Sequence, residues 1–389
     1  MFEERLLLTI ARRELEPRDV AELRELAREP LDWDYLIATA FNHGLLPLLQ
    51  KNLASAAADL VPAHVLSRLK RESVANSQSV LHLIGKQLAA YRLLRDRGMR
   101  VAIFKGAVLA QMAYGEVSLR QAGDIDILID REHFVEARRS LESLGYEMTP
   151  QLTDAQLASH LASHCEIPFM RDEWFTIVDL HWGFAPRSFV FGLAVDDVMS
   201  RLREVSLSGT RVATFCDEDM VLYQSMHGAK HLWRRLEWIT SLAELIRASP
   251  AIDWSLVLQR AADAHAIRML ALGLCLVEAF SDVRIETRIL RSVDPQGAME
   301  SMATQIKEQM FTLARVTDST ETNLYNFKIM DRKRDALVST LRSLFVPTVP
   351  DWQALALPAP LHPLYYAFRP LRLSKSYLWY FLNRGHRRS

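Results

Sequence analysis

Two aspartates one residue apart, Asp124 and Asp126, head the run DIDILID, and a third acid, Asp179, stands downstream in VDLHW. On a strand, alternate side chains share a face, so Asp124 and Asp126 project together while Ile125, Ile127 and Ile129 turn into a core. The same alternation puts Asp179 and His181 on one face, with Val178, Leu180 and Trp182 on the other. Two such strands side by side would gather three carboxylates. Like charges at close range raise one another's pKa and are costly to bury, so such a cluster becomes favourable when divalent cations neutralise it. Mg²⁺ suits an all-oxygen set and keeps places for water and substrate phosphates, with Mn²⁺ as the second choice. A pair of ions held this way can activate an attacking hydroxyl and stabilise a departing pyrophosphate, which is the chemistry of phosphoryl or nucleotidyl transfer.

The segment upstream supplies a complementary feature. Lys105 and Gly106 fall between VAIF, which predicts a short buried strand, and AVLAQMAY, which predicts a helix. At such a junction free backbone N–H groups and the helix dipole favour phosphate, glycine permits close approach, and lysine adds charge. Arg120, four residues before Asp124, could clamp another phosphate oxygen. The alternation continues with DIDILI as a strand, REHFVEARRSLESLG as a helix and WFTIVDLHWGF as a strand. This predicts an α+β protein with a small mixed sheet, too poor in strands for a doubly wound fold.

The string FKGAVLAQMAYGEVSLRQAGDIDILID, followed by VDLHW, resembles the uncharacterised nucleotidyltransferase family within the DNA polymerase beta-like superfamily. That family's pattern runs Lys-Gly, Tyr, Arg, an Asp-aliphatic-Asp strand and an acid-aliphatic-His-Trp strand. DWDYLIATAFNHGLLPLL resembles its N-terminal helices, HGAKHLWRRLEWITSLAEL its helix after the sheet, and FRPLRL its C-terminal signature. The resemblance implies metal-dependent nucleotidyl transfer, with Asp124, Asp126 and Asp179 as catalytic metal ligands and two ions. The Lys105–Gly106 turn and Arg120 would seat the nucleotide, Lys230 and Arg235 would face the triphosphate across the cleft, and His181 would support Asp179 or meet substrate. Superfamily relatives carry Gly-Ser at the phosphate turn where this chain has Gly106-Ala107, and the family tends to show an acid where Ser241 stands.

Around this core the periodicity is helical. Residues 1–75 read as an N-terminal helical region, 76–215 as the catalytic core and 216–389 as a C-terminal helical region, with Pro347, Pro350, Pro358, Pro360 and Pro363 marking an extended connector before the last helix. The 47 basic and 47 acidic residues balance, so no global field draws the chain to nucleic acid or an acidic membrane, and its 38 arginines against 9 lysines are taken as background. No nucleic-acid groove or helix-hairpin module stands out, which argues against templated polymerisation. Three scattered cysteines, Cys165, Cys216 and Cys275, support neither a disulfide framework nor a zinc ribbon and fit a reducing cytoplasm. The N-terminus lacks the order of a signal peptide, and no apolar run reaches the ~20 residues that span a bilayer. The tail SYLWYFLNRGHRRS reads as a terminal helix, with contact at a membrane surface as the alternative.

Other chemistry-bearing residues have plainer explanations. His160 and His164, and His227 and His231, have i,i+4 spacing but no HExxH glutamate, and two histidines leave a zinc site incomplete. DRKRDAL (331–337) reads as a solvated helix face, and Trp182, Trp233 and Trp238 as core, although each could stack on a base. The leading expectation is an enzyme moving a nucleoside monophosphate from an NTP to an acceptor, which could be a small molecule, a peptide or a protein. The alternatives are a lapsed transferase fold used as a nucleotide-binding or interaction module, for which Ala107 leaves room, and a DxD glycosyltransferase. The last fits poorly, since several β-α units should precede the motif.

Overall fold

The computed structural model describes residues 1–121, 123–171, 176–312 and 319–384. Trp174 and Phe175 of the expected strand, and the last five residues of the tail, lie outside the described residues. The N-terminal helices are α1 (Phe2–Ile10), α2 (Pro17–Leu26), α3 (Trp33–Asn42), α4 (Leu46–Ala56) and α5 (Ala63–Asp96). Pro17, at the first position of α2, brings a preset φ and lacks only an N–H that would be unpaired anyway. Asp32 caps α3 by accepting from the Tyr35 N–H at 2.9 Å. Helix α5 continues unbroken through residue 75 and leads directly into the sheet, so the N-terminal and central regions share one element.

The central elements are β1 (Val101–Ile103), α6 (Gly106–Tyr114), β2 (Ile125–Ile129), α7 (Phe134–Ser143), β3 (Glu147–Met148), α8 (Asp154–Ser163), β4 (Glu166–Arg171), β5 (Thr176–His181), α9 (Val195–Met199), β6 (Arg203–Leu207) and β7 (Thr210–Thr214). Five strands form one mixed sheet in the order β1-β2-β5-β4-β3. Among the described strands only β2 and β5 pair in parallel, and their register sets Asp126 directly beside Asp179 and Leu128 beside His181. All five residues of β2 are buried, so both faces of this strand are covered and the Asp126 face is no open surface. Strands β6 and β7 form a separate hairpin whose Ser208 and Gly209 have φ of 47° and 79°. Positive φ at both central residues is what a tight hairpin turn of matching twist demands.

The C-terminal helices are α10 (Asp217–Lys230), α11 (Leu236–Ala248), α12 (Trp254–Asp263), α13 (Ile267–Phe280), α14 (Thr287–Val293), α15 (Ala298–Gln309), α16 (Ser319–Ile329), α17 (Lys333–Phe345), α18 (Val349–Ala354) and α19 (Tyr365–Arg384). Helix α13 is apolar nearly all round and almost wholly buried, as the middle member of a bundle must be. The expected extended connector is partly folded. Thr348 caps α18, Pro350 sits in its first turn, and Asp351 of that turn accepts from Arg369 and Arg372 at 2.6 Å each. A proline in the first turn breaks no helical bond, which is why the proline count misleads here. The stretch 331–337 is likewise more than a solvated face, because Asp331 accepts from the Ile267 and Arg268 N–H groups and so caps α13. No described helix is long and apolar enough to cross a membrane.

Candidate active site

Asp126 is buried to 1% exposure at the centre of the sheet. Its Oδ1 accepts from Lys105 Nζ at 2.6 Å and from His181 Nε2 at 2.9 Å, whereas its Oδ2 is buried with no hydrogen-bond partner. Burial alone would raise this carboxyl, but Lys105 and His181 outweigh it and hold Asp126 well below the usual carboxylate range. Lys105 is pulled the other way: burial lowers it, and Asp126, Tyr223 and Glu166 together raise it well above an ordinary lysine. Phe104 packs edge-on against His181 and Tyr223 with centroids 5.0 and 5.1 Å away, which fixes the floor beneath the acids.

Asp179, the register partner of Asp126, has no ion pair with a cation among the described residues. Burial first, then the charges of Asp124, Asp126 and Glu166, push its carboxyl up to about 8, and it shares a hydrogen bond with Asp124. Asp124 lies one residue before β2, and the carbonyl of this same aspartate is what a side chain on Gly106 would approach, at 3.6 Å. Gly106 has φ +53°, so the strand-to-helix turn uses glycine for its backbone conformation. Among the described residues, Asp126, Asp179 and His181 form a group whose ligand atoms all lie within 4.8 Å of one another. The orphaned Asp126 Oδ2, the Asp179 carboxyl held up by its acidic neighbours and the oxygen-rich donor set all fit a hard divalent cation.

Lys105, Asp124, Asp126 and Asp179 line a cleft of about 570 Å³ together with Gly106, Arg120, Glu166, Lys230, Arg235 and Trp238, while His181 is buried behind them. Arg120 donates to the Gly106 carbonyl at 3.3 Å and pairs with Glu237 at 2.6 Å, so it braces the turn while facing the cleft. Arg235 pairs with the other Glu237 oxygen at 3.0 Å. Lys230 comes from the last turn of α10. The N-terminal region reaches the same place: the His43 carbonyl accepts from the Glu237 N–H, and His43 Nδ1 accepts from the Leu236 N–H.

Glu166, like Glu237 and Phe41 on the cleft wall, is a site residue that sequence reasoning missed. It opens β4, sits opposite His181 in the antiparallel register, and brings a carboxylate oxygen to 3.0 Å from His181 Nδ1. Burial would raise it, yet His181, Lys230 and Lys105 lower it overall. The alternation of buried Ile167 and Phe169 was a strand signal, masked by Pro168 in the middle. The paired histidines turn out differently. His160 and His164 stack at 4.1 Å, with His160 Nε2 at 2.9 Å from the Glu166 carbonyl, outside any ligand group. His227 and His231 line the cleft. Of the tryptophans expected in the core, Trp233 is fully buried and Trp182 nearly so, but Trp238 faces the cleft. Ser241, where an acid was the family tendency, lies 3.3 Å from the Tyr114 hydroxyl in a buried contact.

Residues 29–282 match the family described as uncharacterised nucleotidyltransferase, a span that contains every site residue named above. The chain belongs to the uncharacterised nucleotidyltransferase family. This is the enzyme class the acids were read for. The FRPLRL stretch lies beyond the matched span, and its two arginines hold Asp351. Among solved structures, that of the antibiotic-resistance factor ANT(2'')-Ia is 18% identical with a TM-score of 0.31, covering 48% of this chain and 91% of that one. No curated protein matches the chain.

Proposed function

We propose that this nucleotidyltransferase moves a nucleoside monophosphate from an NTP to an acceptor, releasing pyrophosphate, with Mg²⁺ as its cofactor. The observation that carries this reading is the parallel register of Asp126 beside Asp179, which leaves one buried carboxylate oxygen unpartnered and one carboxyl crowded by acids. Asp124, Asp126 and Asp179 would hold two divalent ions, which when bound make an acceptor hydroxyl more acidic and stabilise charge on the departing pyrophosphate. His181, whose Nε2 bonds Asp126 at 2.9 Å while a Glu166 oxygen lies 3.0 Å from its Nδ1, keeps the Asp126 carboxylate oriented. The N–H groups opening α6 at Gly106, with Lys105, Arg120 and Lys230 around them, supply positive potential for the triphosphate. The acceptor oxygen forms its bond to the α-phosphorus as the bond to the bridging oxygen of pyrophosphate breaks, and the acceptor proton passes to Asp179.

Acceptor identity is assigned only by class, as a hydroxyl or phosphate on a small molecule, a peptide or a protein. Incubating the protein with labelled NTPs and Mg²⁺ in a lysate of its source should label one species and release pyrophosphate, and Asp126→Asn should abolish both. Undiminished labelling in that variant refutes the assignment. One observation favours a second reading, a lapsed nucleotide-binding module: Lys105 Nζ already neutralises Asp126. Nucleotide binding in calorimetry without pyrophosphate release would select it.

A further inference from the structure

Opposite the acids in composition, the helices contribute an aromatic side to the cleft. His227 and His231 lie on one face of the end of α10, one helical turn apart, and Trp238 comes from the first turns of α11. Their rings are in mutual contact: His227 to His231 4.7 Å, His227 to Trp238 5.5 Å and His231 to Trp238 5.4 Å between centroids. Tyr223 continues the series inward, stacked on His227 at 5.9 Å. Burial, reinforced by Lys230 and Lys105, lowers His231 to about 4, so its imidazole is an uncharged flat ring at neutral pH. The His227 Nδ1 is buried without a hydrogen-bond partner.

The mouth carries a further aromatic side chain. Phe41, at the end of α3, lines the same cleft with 57% of its surface exposed. Its neighbour segment is fixed by the His43 bonds to the start of α11, so the exposure is held in place. A large apolar ring kept in water in the same cleft as partly open aromatic rings is a surface suited to a flat ligand. Trp233 is fully buried, whereas Trp238 packs only partly against the core and also faces the cavity.

Building on the proposed function, we propose that Trp238, His231 and Phe41 form the stacking site for the heteroaromatic base of the nucleotide, with His227 Nδ1 as a hydrogen-bonding point for the ring's edge. The charged side of the cleft then takes the phosphates, and the N-terminal and C-terminal helical regions, joined through His43 and the start of α11, together take the base.

Calorimetric titration of the full chain with each common NTP and with inorganic tripolyphosphate, all with Mg²⁺, separates the two parts. Stacking on one aromatic side chain predicts that Trp238→Ala weakens the best NTP about 10-fold and leaves tripolyphosphate unchanged, while Trp238→Phe keeps most of the affinity. Phe41→Ala, at a side chain already exposed, repeats the test should Trp238→Ala disturb folding. Unchanged NTP affinity in correctly folded Trp238→Ala and Phe41→Ala variants overturns the inference, as does equal weakening of tripolyphosphate. Wild-type protein that binds tripolyphosphate as tightly as any NTP overturns the stacking site alone. Wild-type protein that binds neither overturns the nucleotidyl-transfer reading along with it.

Discussion

Replacing Lys105 by methionine removes the cation that neutralises Asp126 while keeping a side chain of similar reach. Lys105 Nζ lies 2.6 Å from Asp126 Oδ1, and the two side chains are only 18% and 1% exposed. Removing one partner of a buried pair leaves an uncompensated charge and typically costs about 3–5 kcal/mol. His181 Nε2 still reaches the same oxygen at 2.9 Å, so the lower half of that range is expected. For a chain of this length unfolding as one unit, about 3–4 kcal/mol corresponds to a fall in Tm of about 4–5 °C. Thermal denaturation with EDTA measures it directly. Adding Mg²⁺ should restore part of the loss and stabilise the variant more than the wild type, since a second cation can then reach Asp126. Asp126→Asn in the same background should also recover stability, because the unpaired charge is gone. A Tm in EDTA within about 1 °C of wild type would refute the paired-charge argument, and an absent Mg²⁺ effect would refute the cation site.

Other outcomes follow from the same geometry. Asp179→Asn should raise the Tm of the metal-free protein, because it removes a carboxyl that burial and three acidic neighbours disfavour, and should abolish pyrophosphate release; a lower Tm would contradict the crowding. Glu166→Gln loosens the support of His181 and should weaken Mg²⁺ about 10-fold or more, the usual effect of losing such a partner, with tripolyphosphate affinity in calorimetry showing whether the phosphate side is spared. His43 is lowered from 6.5 to about 4 by burial and by Arg235, so the folded state prefers the neutral ring; its contribution is complete above pH 6.5 and is lost as pH falls toward 4. Denaturant titrations at pH 7.5 and 4.5 should show a smaller pH-dependent loss in His43→Gln than in wild type, and an equal loss would remove His43 from the account. Gly228→Ala would place a methyl 2.4 Å from the Trp233 ring and should destabilise by about 1–3 kcal/mol or more in the same titrations.

The placement of the acids was legible because strand alternation is a strong local rule. Asp124 and Asp126, the β2 strand behind them, and Asp179 with His181 on β5 all follow from a period of two, and the parallel register then does what no local pattern specifies by setting Asp126 against Asp179. What escaped was whatever depends on non-local pairing. Glu166 lies on a strand interrupted by Pro168, and its importance exists only because β4 pairs with β5 opposite His181. The roles of Lys105 and Arg120 were legible as positive charge near the acids, but not their partners. Lys105 closes on Asp126, and Arg120 is shared between the Gly106 carbonyl and a glutamate more than a hundred residues away. Those pairings place the cations where burial of the acids requires them, and on the proposed function a triphosphate would have to compete with carboxylates for the same side chains. A divalent cation held by Asp126 would relieve that competition by supplying the neutralising charge. Lys105 would then be free to turn toward phosphate, so metal and nucleotide should each bind more tightly in the presence of the other, and calorimetric affinities that are independent of one another would show that Lys105 stays where it is.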